Sequence, residues 1–213
     1  GNLNNSAYIE TESKFILIDC GYTVFNILKE KFDFKKYSEI DIIVTHLHND
    51  HAGSLSQFIM YLWFVYKKRV RVYSSCTKIK EYLSITGTPD LAYELFKEND
   101  NLKFIKTRHV KELDSYGFSL EVEGKKIIYT GDTSTLEPYY NYLKDIDEFY
   151  VDMSVNSNVH LKITEEMEHL RAIKNSGINV FLMHIDNRAE IEKIVRDEFF
   201  IVRWISKMKN FEK

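Results

Sequence analysis

The run THLHNDHAGSL, residues 45–55, places His46, His48, Asp50 and His51 within six positions of one another. It follows directly on DIIVT (41–45), a run of apolar β-branched residues that reads as a buried strand. A helix-like apolar segment, 55–66, comes next, so the four side chains sit on a loop between a strand and a helix. Four such groups crowded without a common partner are poorly satisfied, and a metal ion is the centre they can share. Imidazoles with a carboxylate suit Zn²⁺ best, with Mn²⁺ or Fe possible, because ligand type alone does not select the ion. The competing reading is a polar surface turn that happens to be rich in histidine. Against it stand four more ligand-type residues at the ends of predicted strands: His109 after LKFIK, Asp132 after KKIIYT, Asp152 closing EFYVD, and His184 after NVFLM. Converging strand ends are where α/β folds gather their sites.

Working outward, the remaining strand-like runs are SAYIE (6–10), KFILID (14–19), VRVYS (70–74), LKFIK (102–106), FSLEV (118–122), KKIIYT (125–130), EFYVD (148–152) and NVFLM (179–183). Helix-like segments lie between them at 24–31, 55–66, 77–84, 91–99, 139–144, 164–175 and 189–197. The sixth opens on Thr164 as its N-cap and stops before Gly177. FSLEV and KKIIYT, joined by Glu123 and Gly124, read as a hairpin. Hairpins mixed with helical crossovers predict an α/β domain.

Bulk properties narrow the function. A chain of 213 residues with 44% hydrophobic content is read as a single domain, 1–213, with a full core. With 29 basic against 32 acidic residues, no global basic field is available to hold a long polyanion, so no long nucleic acid is expected and a phosphate-bearing substrate is a small one. Lys67, Lys68, Arg69 and Arg71 form a local basic run, which is usually a solvated face. Cys20 and Cys76 show no disulfide or C-x-x-C pattern, and Cys20 is read as a small core residue. No stretch reaches the roughly 20 apolar residues of a membrane helix, and the start, GNLNNSAYIE, lacks signal-peptide character, so a cytoplasmic protein without membrane contact is expected. In FIMYLWFVYKK (58–68) apolar residues run all round the helix, an excess that favours a subunit interface and a homodimer over a pocket wall.

His46-Leu47-His48-Asn49-Asp50-His51 matches the H-x-H-x-D-H signature of the metallo-β-lactamase superfamily, and TRHV, YTGDTS and FLMHI resemble that family's later ligand motifs in the same order. The resemblance runs from about Asn5 to His184. It implies an αββα sandwich, two mixed β-sheets with outer helices, holding two divalent metal ions. The first ion would take His46, His48 and His109, the second Asp50, His51 and His184, and Asp132 would bridge them. Such a pair supplies a bridging hydroxide by lowering the pKa of bound water to about 7 and polarises a carbonyl or phosphoryl oxygen.

His160, in NVHLKITEEM, is not needed as a ligand. In phosphodiesterases of this superfamily, including the tRNA 3′-processing endonucleases, a histidine in similar context protonates the leaving oxygen, backed by an acidic residue. Asp152 resembles that backing residue, although the family more often has Glu there. Asp50, His160 and Asp152 are thus the expected catalytic residues, whereas His169, inside EEMEHLRAIK, reads as a solvated helical side chain. The tRNA-processing enzymes insert a long basic arm between the motifs matching His109 and Asp132. Here 132 − 109 = 23 positions separate them, filled by strand and hairpin, which leaves no room for the arm. The family's N-terminal strand with its Gly-rich leader is also missing, so the chain is either trimmed at its start or enters the sheet directly at SAYIE. The expected activity is hydrolysis of a small phosphodiester, a cyclic nucleotide or short oligonucleotide, as in armless relatives that open cyclic nucleotides. Two alternatives stand beside it: a carboxylic ester, thioester or lactone hydrolase, which would not need His160, and a non-catalytic metal-stabilised binding module.

Overall fold

The computed structural model describes residues 6–202 and the backbone of 205–207. The chain folds as two compact units, one formed up to Lys97 together with strand Ile205–Lys207, the other beginning at Glu98.

The first unit contains β1 (Ser6–Glu10), β2 (Lys14–Ile18), α1 (Val24–Lys31), β3 (Glu39–Ile43), α2 (Asn49–Ala52), α3 (Leu55–Tyr66), β4 (Val70–Tyr73), α4 (Ile79–Ile85) and β5 (Tyr93–Phe96). Its six-stranded sheet runs Ile205–Lys207, β1, β2, β3, β4, β5. β1 and β2 pair antiparallel and every other neighbour is parallel. Parallel strands are generally covered on both faces, and in β2 and β3 four of five positions are buried; the one acid among them, Asp41 of β3, is held by Lys14 and Arg71. On α3 the buried side chains Leu55, Phe58, Ile59 and Leu62 form a stripe at i, i+3, i+4, i+7, while Phe64 and Val65 are 58% and 59% exposed.

Segment 91–99 is a correction. Instead of a helix, a 3₁₀ turn at Asp90–Ala92 leads into β5, which pairs with β4 from Val70↔Tyr93 to Tyr73↔Phe96. LAYELFKEN has ample helix propensity, but ladder pairing at the sheet edge outweighs a preference worth only tenths of a kcal/mol per residue. The basic run is absorbed by the same sheet. Lys68 donates to the Tyr37 carbonyl, Arg69 reaches Glu94 and the Tyr93 carbonyl, and Arg71 pairs with Asp41 and Glu39.

The second unit contains β6 (Leu102–Lys106), β7 (Tyr116–Val122), β8 (Lys125–Tyr129), β9 (Glu148–Asp152), α5 (Ile163–Asn175), β10 (Asn179–Met183), α6 (Arg188–Val195) and β11 (Phe200–Ile201). Its sheet order is β11-β10-β9-β8-β7-β6, with β6–β7–β8 antiparallel and β8–β9–β10–β11 parallel. Glu123 and Gly124 both take positive φ, 49° and 75°, as the two central residues of a type I′ hairpin must. Segment 139–144 is a 3₁₀ helix, Glu137–Tyr142, with Pro138 in its first turn. α5 begins at Ile163 with Lys162 in the cap position, so Thr164 is not the N-cap. The amides of Glu165 and Glu166 already bond the Lys162 carbonyl, so the helical ladder starts before Thr164 and encloses it.

One face of this sheet packs Ile128, Phe149, Val151, Val180 and Leu182 with Ile163, Leu170, Ile173, Ile191 and Val195 of the two helices. Across five strands also runs a ladder of stacked rings, Phe118–Tyr129–Tyr150–Phe181–Phe200, with centroids 4.6 to 6.4 Å apart. The buried Glu148 accepts from the Tyr150 hydroxyl. No helix of the described residues is long and apolar enough to cross a membrane.

Candidate functional site

In each unit the ligand-type residues lie at the carboxyl edge of parallel strands. In the first unit, Asp19 follows β2 and the loop 44–51 follows β3. Asp19 is fully buried and takes the left-handed conformation, φ 59°, a backbone state that costs a non-glycine residue about a kcal/mol or more and that clusters at functional sites. There it collects three hydrogen bonds: from the Thr45 amide at 2.8 Å, the Thr45 hydroxyl at 2.8 Å and His51 Nδ1 at 2.8 Å.

These contacts assign tautomers. Since the Thr45 proton goes to Asp19, its oxygen accepts from His46 Nδ1 at 3.1 Å. His46 therefore presents Nε2 as a lone pair, 3.0 Å from His48 Nδ1. His51, having given its Nδ1 proton to Asp19, turns Nε2 toward Asp50 Oδ2 at 3.5 Å. His46 and His51 are fully buried, whereas Asp50 is 41% exposed. Strand-end reasoning picked out His46, His48, Asp50 and His51 but passed over Asp19, although an acid closing the apolar run KFILI carries the same signal.

In the second unit β6, β8, β9 and β10 end on one edge, and from these ends come His109, Asp132, Asp152 and His184. His109 Nδ1 donates to the Val159 carbonyl at 2.9 Å and His184 Nδ1 donates to Asp152 Oδ1 at 3.2 Å. Each ring thus turns an Nε2 lone pair toward Asp132 Oδ2, at 3.7 Å in both cases. A carboxylate oxygen facing two imidazole lone pairs repels both unless a cation lies among them. The separations are too long for hydrogen bonds, and they suit atoms that each approach a shared ion to about 2.0–2.2 Å. The donor chemistry of this cluster therefore fits divalent metal, with Asp132 as the shared carboxylate. His184, like Asp19, has positive φ, 53°.

His160 stands beside this group. Its Nδ1 donates to Asp152 Oδ2 at 2.8 Å and lies 3.9 Å from Asp132. Asp132, Asp152, His160 and His184 each offer a ligand atom within 4.8 Å of the others. Asp152 is fully buried and also accepts from the Thr133 amide, so one carboxylate orients both His160 and His184. Burial alone would lower the His160 pKa. The hydrogen bond to Asp152 and the negative charges of Asp152 and Asp132 outweigh it, and the imidazole is held above its usual value. His169 is exposed on α5 and pairs with Glu166, as a solvated helical side chain would.

The loop that delivers His160 is closed by a polar knot that no sequence motif marks. Asp186, two residues past His184, accepts from the Ser154 hydroxyl at 2.6 Å, from the Val155 amide at 3.0 Å and from the Asn187 amide at 2.7 Å. Burial would raise its pKa, but these donors hold the carboxyl below its usual range.

Comparison with known proteins shows the same overall fold. The family model described as anti-Pycsar protein Apyc1 matches residues 1–84. The anti-Pycsar protein Apyc1 of Bacillus phage 010DV004 is 26% identical over 219 aligned positions, covering 88% of this chain and 84% of that protein. The protein of the same name from Paenibacillus harenae is 32% identical over 136 residues, 54% of this chain and 56% of its own length. Among solved structures, the metallo-β-lactamase fold protein YhfI of Bacillus subtilis superposes with a TM-score of 0.72 at 16% identity, covering 92% of this chain and 88% of that one. Human tRNase Z, short form, gives a TM-score of 0.63 at 16% identity over 85% and 86% of the two chains. A diphosphatase of the PhnP family gives 0.66 at 18% identity over 91% and 79%.

Proposed function

We propose that this chain, which has the metallo-β-lactamase fold, is a dinuclear metal-dependent phosphodiesterase acting on a small substrate, a cyclic nucleotide in particular, as that fold and its histidine–aspartate clusters support. The ligand assignment follows motif order: His46, His48 and His109 for one ion, Asp50, His51 and His184 for the other, Asp132 for both. Two divalent ions, most readily Zn²⁺, would lower the pKa of water to about 7 and polarise a phosphoryl oxygen.

The protein's own groups complete the chemistry. Asp19, Val159 and Asp152 hold the protons of His51, His109 and His184 on Nδ1, so that Nε2 remains basic in each. His160, with Nδ1 bonded to Asp152 at 2.8 Å, carries its second proton on Nε2 and passes it to the departing ribose oxygen. The carboxylate stabilises the imidazolium before transfer and keeps the ring aimed afterwards. This His160–Asp152 pair beside Asp132 is the observation that carries the reading, because ester, thioester and lactone hydrolysis do not require it. Matches to phage anti-Pycsar proteins over most of the chain support the same placement.

The test is a leaving-group comparison on metal-loaded enzyme. His160→Ala should lose about 10²- to 10⁴-fold in kcat on 3′,5′-cyclic mononucleotides, the range for general acid catalysis. On bis-p-nitrophenyl phosphate, whose p-nitrophenolate departs without a proton, the variant should stay within a few fold of wild type. Equal losses on both substrates, or loss of metal, would overturn the assignment.

A further inference from the structure

His160 and the carbonyl that orients His109 belong to one closed loop, and a side-chain bond between Ser154 and Asp186 ties that loop to the turn after His184. The chain leaves β9 at Asp152 and returns on itself at Ser154: the Ser154 amide donates to the Leu161 carbonyl at 2.8 Å and its carbonyl accepts from the Ile163 amide at 2.9 Å. Inside that closure the Ser154 hydroxyl oxygen accepts from the amides of Asn156 and Ser157, at 3.2 and 2.9 Å, while its proton goes to Asp186. Asp186 takes the Val155 amide as well. On the far side of the loop, Val159 presents its carbonyl to His109 and His160 presents its ring to Asp152. Ser154 is buried. The Ser154 hydroxyl donates from this buried position to the carboxylate of the more exposed Asp186, and a neutral hydroxyl that donates to a carboxylate makes a charge-assisted bond, about twice as strong as a neutral one.

We propose that Asp186 is a positioning residue which, through Ser154, fixes the reach of loop 153–162 and so sets His160 and His109 together. The general acid and the orientation of one metal-facing imidazole are thereby coupled through a side chain that touches neither. Because Asp186 departs from the turn after His184, the lock also ties the His160 loop to the end of β10. This inference rests on the phosphodiesterase reading only for its kinetic consequence; the mechanical claim stands apart from it.

The experiment uses the full, Zn²⁺-loaded protein in four forms: wild type, Ser154→Ala, Asp186→Asn and the double variant. Hydrogen exchange followed by mass spectrometry should show amides of segment 153–162 exchanging at least tenfold faster in each variant, with β9 and β10 unchanged. The double variant should exchange less fast than the two single effects combined would give, because both include loss of the shared Ser154–Asp186 bond. In parallel, kcat on a 3′,5′-cyclic mononucleotide should fall 10- to 100-fold more than kcat on bis-p-nitrophenyl phosphate, with KM nearly constant. Unchanged exchange in 153–162, or strictly additive effects in the double variant, would overturn the lock. Faster exchange with equal kinetic losses on both substrates would show a merely structural loop and overturn the positioning role. If wild type turns over neither phosphodiester, the functional reading fails while the exchange and additivity results still decide the lock.

Discussion

Asp19→Asn is an isosteric change with an outsized expected effect, because one carboxylate oxygen sets two imidazoles. Asp19 Oδ1 accepts from the Thr45 amide, and Oδ2 accepts from the Thr45 hydroxyl and from His51 Nδ1. An asparagine keeps one acceptor, which satisfies the Thr45 amide, and places an NH₂ where Oδ2 was. His51 must then offer a lone pair at Nδ1, which moves its proton to Nε2. The Thr45 hydroxyl, now an acceptor, turns its own proton on His46 Nδ1, so that His46 also carries its proton on Nε2. Both nitrogens needed as ligands are blocked together. Disturbing one orienting partner typically costs 10- to 100-fold in metal affinity, so two disturbed rings predict a loss of about 10²- to 10⁴-fold. Without metal, three charge-assisted bonds become neutral ones, a net difference of about 1–3 kcal/mol after the relief of burying a charge. That is a fall of roughly 2–12 °C in Tm for a chain of this size. Zn²⁺ affinity measured by chelator competition, with calorimetric melting in EDTA, checks both figures. An affinity within threefold of wild type alongside the expected loss of Tm would show that Asp19 only braces the loop, and the tautomer argument would fail.

Other changes separate the remaining roles. Elemental analysis should find about two ions per wild-type chain and binding lost at both positions in Asp132→Ala, whereas His169→Ala should leave metal content and turnover unchanged. Burial pushes the Cys20 thiol up to about 12, so at pH 8 its thiolate fraction is on the order of 10⁻⁴ and iodoacetamide should label Cys20 only after denaturation. Replacing the exposed Phe64 and Val65 of α3 by Glu and Lys should convert the proposed homodimer to a monomer in sedimentation velocity, without changing the metal content per chain; an unaltered sedimentation coefficient would place the interface elsewhere.

Much of this was legible in the chain because its strands announce themselves. EFYVD, NVFLM and LKFIK are compact apolar runs, and each ends at or just before a residue able to bind a proton or a metal; the end of a buried parallel strand is also the point where side chains first meet the site. Segment 91–99 misled because helix propensity is local whereas the pairing of β5 with β4 is not. Asp19 was readable in principle but was absorbed into a strand, since nothing in KFILID says that the backbone turns left-handed at its last residue. The Ser154–Asp186 bond joins residues 32 positions apart, and no periodicity marks such a pair.

The hairpin at Glu123 and Gly124 offers a practical handle. It joins β7 to the amino end of β8, while Asp132 lies beyond the carboxyl end, so the strand itself separates turn from chemistry by about 3.3 Å for each residue. Neither residue can easily be replaced by a bulky L-amino acid, given φ of 49° and 75°, but the peptide bond between them can be opened outward by an inserted linker. A biotin-acceptor peptide or a fluorophore-bearing loop carried there would tether the protein to a surface with the edge that bears Asp132, Asp152 and His184 turned away from the support.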